Sequence, residues 1–330
     1  MGLSEQGLLA AARRGDEAAF GNLVEPYRRE LHTHCYRMLG SVPDAEDTLQ
    51  EALLGAWRGL SRFEGRSSLR SWLYTIATNA CLRAIQRRPK RVLPIDYGPP
   101  SDPHDRAAAP PVESVWIDPL PTPEGRYEQR ESVELAFVAA LQHLPPLQRA
   151  VLILRDVLGF SARETADALD MKPAAVDSAM QRAKKTVDAQ LPDRSQQAAL
   201  STLDDAQLRA IVDEYVAAWE RADVDAVVAM LTDEATFTMP PQPTWFRGRD
   251  AVGAFLAARP LREGRRWRLV ATRANGQLAF GHYYWDADEG AFVGEGISVL
   301  TLRGTQIDDI TTFRTAELLE RFGLPARIAA

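Results

Sequence analysis

A Pro-rich stretch in the middle of the chain divides the sequence into parts that have to fold separately. Residues 93–127, LPIDYGPPSDPHDRAAAPPVESVWIDPLPTPEGRY, are acidic and rich in proline, so they predict a linker that cannot pack a core. Within this linker, VWIDPLPTP contains Trp116 and Ile117, which are too apolar for a simple spacer. We interpret the segment as either a local hydrophobic clasp or a docking peptide, and docking is preferred.

Composition limits the class of protein. A chain of 330 residues with 45% hydrophobic and 25% charged residues is typical of a soluble protein with two or three domains. No apolar run approaches the roughly 20 residues that cross a bilayer, and the N-terminus lacks the pattern of a secretory signal. Two cysteines, Cys35 and Cys81, do not make a disulfide framework, which favours a reduced, cytoplasmic setting. Zinc binding by these cysteines with His32 and His34 is not expected, because helical spacing sends His34 to another face.

Helices are predicted on both sides of the linker. In residues 1–92, apolar positions recur at helical spacing, an amphipathic helix covers DAEDTLQEALLGAWRGL, and a further helix covers SLRSWLYTIATNACLRAIQRR and stops before Pro89. Helices return over residues 128–191, and a Gln- and Ala-rich hinge is expected at residues 193–201.

Charge and aromatic residues point to nucleic acid. Residues 1–92 carry 14 Lys and Arg against 10 Asp and Glu, whereas residues 202–330 carry 14 against 19. The segment SRFEGRSSLRSWLYTIATNACLRAIQRRPKR, residues 61–91, combines aromatic rings with many cations and a single acid, Glu64. Rings stack on unpaired bases and cations follow the backbone, so the segment is typical of single-stranded nucleic-acid binding. The alternative is that Trp72 and Tyr74 are core residues, and one of the two is expected to be.

Residues 159–185, GFSARETADALDMKPAAVDSAMQRAKK, predict a helix-turn-helix. Ser161 and Glu164 suit a capping box, DMK forms the turn, and Pro173 opens the second helix, which would enter the major groove. A plain helical hairpin is the structural alternative. The outward residues of the second helix are Ala174, Asp177, Ser178, Gln181, Arg182, Lys184 and Lys185.

The last part of the chain has a different pattern. A helix is predicted over residues 204–231, followed by strands in EATFTM, RWRLVATRA, QLAFGHYYWD, AFVGEGISVLTLRG and QIDDITTFRT. The predicted fold class is therefore multidomain, with two all-α parts followed by an α+β domain.

On these motifs, the chain resembles sigma-70-family transcription initiation factors of the extracytoplasmic-function (ECF) group. DAEDTLQEALLGAWRGLSRFEGRSSLRSWLYTIATNACLRAIQRR is similar to the family's second conserved region, and LPPLQRAVLILRDVLGFSARETADALDMKPAAVDSAMQRAKK is similar to the fourth. The resemblance implies region 2 at residues 10–92, for polymerase clamp binding and recognition and melting of the −10 element. It also implies a linker at 93–127, threading near the polymerase active centre and RNA exit path, and region 4 at 128–191, for recognition of the −35 element.

The resemblance also implies which residues act. Those implied to dock on the β′ clamp of core RNA polymerase are Asp44, Asp47, Gln50, Glu51, Leu54 and Trp57. Those implied to capture the melted −10 element, or to meet nearby duplex and phosphate, are Phe63, Arg66, Ser67, Ser68, Trp72, Tyr74, Asn79, Arg83, Arg87 and Arg88. Those implied to recognise the −35 element are Ala174, Ala175, Ser178, Gln181, Arg182, Lys184 and Lys185. The chain departs from the family at Lys172, where a capping residue is usual, and at Asp177, where a basic residue is frequent, which leaves the −35 sequence open.

Residues 203–325 resemble a SnoaL-like, NTF2-like cone, in which a curved sheet wraps helices around an apolar pocket. Regulation of the sigma core or linker is the preferred role, and ligand sensing or residual catalysis at His282, with Asp286 as a distant neighbour, is the alternative. Catalysis requires a carboxylate and His282 to converge on one enclosed cavity. The residues expected to line a pocket are Phe237, Trp245, Phe255, His282, Tyr284 and Phe313.

The sequence therefore predicts a non-enzymatic sigma factor that needs no cofactor or metal. Its expected partners are core RNA polymerase, through the β′ clamp and the β flap, and promoter DNA in duplex and single-stranded form, with no membrane contact. An intramolecular contact between the C-terminal domain and the sigma core is also expected. The rival class is a stand-alone helix-turn-helix regulator, which would not need the polymerase-docking helix.

Overall fold

The computed structural model describes residues 4–105, 115–122, 133–191 and 195–330. Two compact units divide the chain: Met1–Arg91 joins Val138–Gln190, and Val92–Phe137 joins Leu191–Ala330. The predicted fold class is confirmed, because the first unit is helical and the second contains a sheet covered by helices. The linker, which we predicted to separate two domains, groups with the C-terminal domain instead. Within the described residues, no helix is long and apolar enough to cross a membrane.

The first four helices of the helical unit begin at capping side chains that the sequence supplies. Asp16, Ser41 and Ser68 accept hydrogen bonds from backbone N–H groups in the first turns of the second, third and fourth helices. Gly40 closes the second helix with a φ of 68°, a conformation that glycine adopts without a Cβ clash. These helices are α1 (Glu5–Arg13), α2 (Glu17–Leu39), α3 (Val42–Gly59) and α4 (Leu69–Ile85).

The second helical group of this unit contains the predicted helix-turn-helix. The capping box is confirmed, since Glu164 N donates to Ser161 Oγ at 3.1 Å and Ser161 N donates to Glu164 Oε2 at 2.8 Å. Asp170 makes the turn in the left-handed region, with a φ of 52°. The helices of this part are α6 (Leu135–Gln142), α7 (Pro146–Leu152), α8 (Ala162–Leu169) and α9 (Pro173–Asp188), after the short α5 (Pro94–Tyr97) in the linker.

The C-terminal domain is a mixed sheet with helices packed on it. The strand order is β2-β1-β6-β5-β4-β3, with β7 paired to β5, and only β1 and β6 run parallel among the described pairs. Its strands are β1 (Leu231–Thr238), β2 (Trp245–Arg247), β3 (Trp267–Ala274), β4 (Gln277–Asp286), β5 (Ala291–Arg303), β6 (Gln306–Phe313) and β7 (Arg327–Ile328). Its helices are α10 (Gln196–Ser201), α11 (Asp205–Glu220), α12 (Val224–Ala229), α13 (Arg249–Ala258) and α14 (Leu318–Arg321).

Three expectations about this part were wrong. The single helix predicted over residues 204–231 is broken at Ala222, whose φ is 52°, and Asp223 caps the second piece, α12. The predicted hinge contains helix α10 instead, capped by Ser195. The linker does bury apolar side chains, because Ile117 is fully enclosed and Trp116 is 3% exposed. The caps at Asp223 and Ser195 are local features that the prediction overlooked, whereas the linker is held by long-range contacts.

Candidate polymerase, promoter and regulatory sites

One face of α3 is exposed and carries most of the predicted polymerase-docking residues, although Asp47 lies 3.8 Å from Arg88 in an ion pair. Asp47, Gln50, Glu51 and Leu54 follow one another at helical spacing and are exposed, while the opposite face of α3 is buried against its neighbours. Leu54 is 55% exposed, which is unusual for a large apolar side chain on a charged helix. We call these four residues the α3 stripe.

The other two predicted docking residues have structural roles in this conformation. Asp44 forms ion pairs with Arg88 and, at 2.8 Å, with Arg91. Trp57 is half-buried and packs on Phe20 with 5.1 Å between the ring centroids. Arg88, which we predicted to contact DNA, is therefore occupied by Asp44 and also lies 3.8 Å from Asp47.

The predicted −10 residues divide into an exposed set and a covered set. Phe63 is buried and packs against the half-buried Trp72, with ring centroids 4.9 Å apart. Tyr74 is fully buried, so it is the one of the two aromatic residues of α4 that belongs to the core, and Asn79 donates to the Ala168 carbonyl at 3.4 Å. The exposed members are Arg66, Ser67, Ser68, Arg83 and Arg87.

Tyr74 and Asn79 are covered because the helix-turn-helix part packs on α4. The Phe160 ring meets the Tyr74 ring edge-on at 5.6 Å, and the Asn79 bond reaches α8. At the other end of this contact, Gln142 donates to the Arg37 carbonyl at 3.2 Å. The unit is therefore closed over part of the predicted −10 surface.

Arg149 of α7 is buried and stabilises the contact between the second helical group and α2. Its guanidinium donates to the Met38 carbonyl, and to Gln142 Oε1 at 2.6 Å. Burial lowers the pKa of Arg149 to about 10, so the cation persists at neutral pH. We did not predict this residue, because a single Arg in an amphipathic helix carries no signal that it is buried.

Beneath Tyr74 lies a neutral, buried histidine. His34 Nε2 is 2.8 Å from Thr78 Oγ1, and the imidazole meets the Tyr74 ring edge-on at 5.1 Å. Burial lowers the pKa of His34 to about 3. The histidine is therefore neutral in the folded protein at every physiological pH.

This histidine predicts acid sensitivity of the helical unit. In the unfolded chain His34 takes up a proton below pH 6.5, whereas the folded chain binds it only near pH 3, so stability is lost as the pH falls through this interval. At pH 5 the expected loss from this one group is about 2 kcal/mol. We expect His34→Gln to reduce the difference in urea-unfolding free energy between pH 7 and pH 5 by that amount. Exposed His104→Gln is the control, and an unchanged pH dependence in His34→Gln would contradict the assignment.

The recognition helix α9 presents the predicted −35 residues to solvent. All seven are exposed, and the buried side of the helix is formed by Val176, Ala179, Ala183 and Val187. Lys184 forms an ion pair with Asp156 at 2.7 Å, and Asp177 lies 3.9 Å from Arg155. Lys172 occupies the N-cap position without a side-chain cap bond, as expected from its chemistry.

Residues 115–122 of the linker, VWIDPLPT, are bound along the C-terminal domain. Trp116 Nε1 donates to the Pro241 carbonyl at 2.7 Å, and the Trp116 ring also meets Tyr97 at 5.3 Å. Leu120 N donates to Asn275 Oδ1 at 2.8 Å, and Asn275 N donates back to the Leu120 carbonyl at 2.8 Å. We call residues 115–122 the distal attachment.

An earlier part of the linker is bound to the same domain. Trp245 Nε1 donates to the Gly98 carbonyl at 2.8 Å, and Ser101 N donates to the Trp245 carbonyl at 2.8 Å. Arg259 donates to the Asp105 carbonyl at 3.1 Å. We call residues 98–105 the proximal attachment.

The turn between β3 and β4 is the centre of the distal attachment, and sequence reasoning missed it. Asn275 and Gly276 adopt φ values of 55° and 74°, which this residue pair favours in a two-residue hairpin. Asn275 Nδ2 also donates to the Val133 carbonyl at 2.6 Å, and Gly276 N donates to Thr122 Oγ1 at 2.8 Å. The Asn-Gly pair between two strand-like segments could have predicted the hairpin, but not its distant partner.

The C-terminal domain contains a cavity of about 300 Å³ between its sheet and α13. Of the predicted pocket residues, Phe237, Phe255 and His282 line it. The other three lie elsewhere, because Trp245 holds the linker, Tyr284 packs beside Trp267 and Arg265, and Phe313 is buried at the end of β6. The lining residues that we did not predict are Asp105, Trp219, Met239, Gln242, Thr244, Phe246, Ala258, Arg259, Pro260, Arg262, Arg265, Trp267, Glu295, Thr312 and Arg314.

A carboxylate and His282 do line the same cavity, but the contacts differ from those of an acid–base pair. Glu295 forms an ion pair with Arg314 at 2.7 Å. Within the part of the chain that the structure describes, His282 Nε2 has no hydrogen-bond partner. Asp286, the other acid considered, accepts hydrogen bonds from Asp288 N and Glu289 N in the turn after β4 and is not among the lining residues.

Comparison with known proteins agrees with this organisation. The chain matches the family descriptions Sigma-70 region 2 at residues 23–91, Sigma-70, region 4 at residues 134–187, and SnoaL-like domain at residues 212–310. It shares its fold with the crystal structure of the Mycobacterium tuberculosis ECF sigma factor SigJ, at a TM-score of 0.59, 22% identity, and coverage of 91% of this chain and 97% of that one.

Two curated relatives show the family to which the chain belongs. The ECF RNA polymerase sigma factor SigM of Mycobacterium tuberculosis is 32% identical over 181 residues, 55% of this chain and 81% of the relative. The ECF RNA polymerase sigma factor SigG of the same organism is 40% identical over 324 residues, 96% of this chain and 86% of the relative. The chain therefore belongs to the ECF RNA polymerase sigma factors, the alternative sigma factors that recognise promoters for RNA polymerase.

Proposed function

We propose that the α3 stripe docks this sigma factor on the β′ clamp of core RNA polymerase and that α4 and α9 carry promoter recognition. The observation that carries the proposal is the α3 stripe itself, a helix face with two acids and an exposed leucine at its C-terminal end. Acidic side chains steer towards a basic partner, and a desolvated apolar anchor supplies affinity. A stand-alone regulator has no use for such a face. The β flap remains the predicted second contact on polymerase. Because the protein would act on polymerase, we also propose that it acts in the cytoplasm.

The closed packing of the helical unit supports a proposal about the control of promoter binding. Tyr74 and Asn79 lie under Phe160 and α8, so the −10 surface is complete only after the helix-turn-helix part has moved away from α4. Core polymerase would supply the binding energy for this separation. The free protein is then a poor DNA binder, and the holoenzyme is the active form.

Separate roles for docking and melting predict a selective defect. We expect Trp72→Ala with Asn79→Ala to lower open-complex formation roughly 10- to 100-fold, because base stacking on an aromatic ring contributes about 1–3 kcal/mol. Binding of core polymerase should be unchanged, since neither residue lies on the α3 stripe. Permanganate reactivity of promoter thymines measures melting, and fluorescence anisotropy measures polymerase binding.

The exposed Gln86, just after α4, provides the control substitution for that experiment as Gln86→Ala. Loss of polymerase binding in the double variant would contradict the division of roles. So would undiminished melting at saturating polymerase.

We further propose that the C-terminal domain regulates the sigma factor by holding its linker. The proximal and distal attachments bind the linker through hydrogen bonds to backbone groups that have to be released before this segment can thread into polymerase. The domain is thus inhibitory until a signal frees the linker. A direct contact of the domain with the sigma core stays a prediction.

We propose no enzymatic role for the C-terminal domain. His282 is a buried neutral imidazole, its Nε2 meets no acid among the described residues, and Glu295 is engaged by Arg314. General acid–base catalysis requires a proton-transfer partner within hydrogen-bond reach of the imidazole. Ligand sensing is the second candidate, and the cavity favours it.

A further inference from the structure

The cavity of the C-terminal domain has the shape and lining of a small-molecule site. Its volume of about 300 Å³ is at the lower end of the roughly 300–1,000 Å³ typical of such sites. The walls are aromatic: Phe246 stacks on Phe255 with centroids 4.5 Å apart, and Trp219 and Trp267 form a corner at 5.7 Å. Flat walls of this kind favour a flat, largely apolar molecule.

Among the polar residues that line the cavity, His282 is the most deeply buried. His282 is 1% exposed. Its ring lies edge-on to the rings of Trp219 and Trp267, with centroid distances of 4.8 Å and 6.1 Å. Its Nε2 has no partner among the residues that the structure describes. Burial without a hydrogen bond is costly, so a ligand hydroxyl or carbonyl that bonds to Nε2 would be strongly preferred over an apolar edge. Burial also lowers the pKa of His282 to about 3, which makes the imidazole a neutral partner.

The rim of the cavity is different, because it is charged. Arg259, Arg262 and Arg265 lie there, in addition to the Arg314–Glu295 pair, and Asp105 of the proximal attachment completes the lining. The arginines outnumber the acids, so the rim favours an anionic group on the ligand. An anion at this position would also compete with the Asp105 carbonyl for Arg259.

We propose that this cavity binds a flat aromatic acid, with a hydroxyl or carbonyl oxygen bonded to His282 and its carboxylate at the arginine rim, and that binding releases the proximal attachment. The release follows from two effects: the carboxylate draws Arg259 from the Asp105 carbonyl and repels the Asp105 side chain. The inference rests on the proposed regulation of the linker, and it supplies the chemical class of the signal.

The binding half is tested with full-length protein and three naphthalene probes. By isothermal titration calorimetry, 6-hydroxy-2-naphthoic acid should bind roughly 5-fold more tightly than 2-naphthoic acid, because only the former has a hydroxyl for His282. It should also bind more tightly than 2-naphthol, which has no carboxylate for the rim. Equal affinity of the two acids, or no binding of any probe, would overturn the proposal.

Substitutions locate the probes. His282→Leu should remove the difference between the two acids, and Arg262→Ala should weaken both acids but not 2-naphthol. Because His282→Leu alters the core, Ala258→Trp provides a second test: Ala258 is exposed at the cavity, and an indole there should block all three probes without disturbing buried packing. Arg209→Ala, an exposed arginine on α11 outside the cavity, should change nothing. Binding that survives Ala258→Trp in a folded protein would place the probes elsewhere and overturn the proposal.

The release half is tested by hydrogen exchange. Saturating 6-hydroxy-2-naphthoic acid should accelerate exchange of the Ser101 amide, which donates to the Trp245 carbonyl, by several fold. Binding without faster exchange would overturn the coupling. The linker regulation itself is tested without any ligand by linker variants, so the failure of one proposal is distinguishable from the failure of the other.

Discussion

Replacing Asp47 and Leu54 together by alanine is expected to weaken the binding of core RNA polymerase by about 30-fold or more, through loss of an interface anchor and of its steering charge. The fold should be intact, because both side chains are exposed and the buried face of α3 is unchanged. The measurement is a titration of labelled sigma factor with core polymerase. Transcription should fall in parallel at limiting polymerase.

Single substitutions on the same helix sharpen this result. Leu54→Met keeps an apolar anchor and should bind almost normally, and Glu46→Ala removes an exposed acid outside the α3 stripe. Unchanged polymerase binding in the Asp47 and Leu54 double variant would refute the docking surface. A comparable loss in Glu46→Ala would instead indicate that the overall charge of α3, rather than the stripe, determines affinity.

Freeing the linker should increase basal transcription roughly 10-fold. Asn275→Gly retains the left-handed turn conformation but removes the side-chain bonds to Leu120 and Val133, and Trp116→Phe removes the bond to Pro241. Each neutral hydrogen bond is worth about 0.5–1.5 kcal/mol, so the two lost bonds to the distal attachment shift the attached population by roughly one to two orders of magnitude. Run-off transcription with core polymerase and no added ligand measures the effect.

The matched control is Thr305→Gly, in the β5–β6 turn, where no described linker contact lies. An increase in the Asn275→Gly and Trp116→Phe double variant that is absent from the control supports inhibition by the bound linker. A decrease would mean that the attached linker is part of the working factor, which is the opposite of the proposal.

Local patterns in the sequence predicted the helix-turn-helix well. The capping box of Ser161 and Glu164 and the outward face of α9 depend on residues within a few positions of one another, and the structure has them as predicted. Periodicity likewise predicted that α3 is amphipathic, and one of its faces is buried. Local spacing contains this information because a helix brings residues three and four apart onto one side.

The sites that depend on distant contacts could not be predicted in this way. Asp44 resembles any exposed acid of the first turn, and only the return of the chain at Arg88 and Arg91 shows that it is paired. Trp116 was recognised as too apolar for a spacer, but its acceptor, the Pro241 carbonyl, is 125 residues away. A single sequence contains no record of which distant backbone groups meet, so these contacts require the folded chain.

The two linker attachments act as a bivalent ligand on one receptor. Residues 106–114 are all that joins the proximal attachment to the distal one, so when one attachment dissociates, the other keeps it close to its site. Rebinding is then governed by a high effective concentration rather than by diffusion from solution. Weakening one attachment, as in the Asn275→Gly and Trp116→Phe variant, releases the linker in part, whereas weakening both at once would increase transcription far more than either change alone. The linker therefore responds most strongly when two events coincide, such as ligand binding and engagement by polymerase.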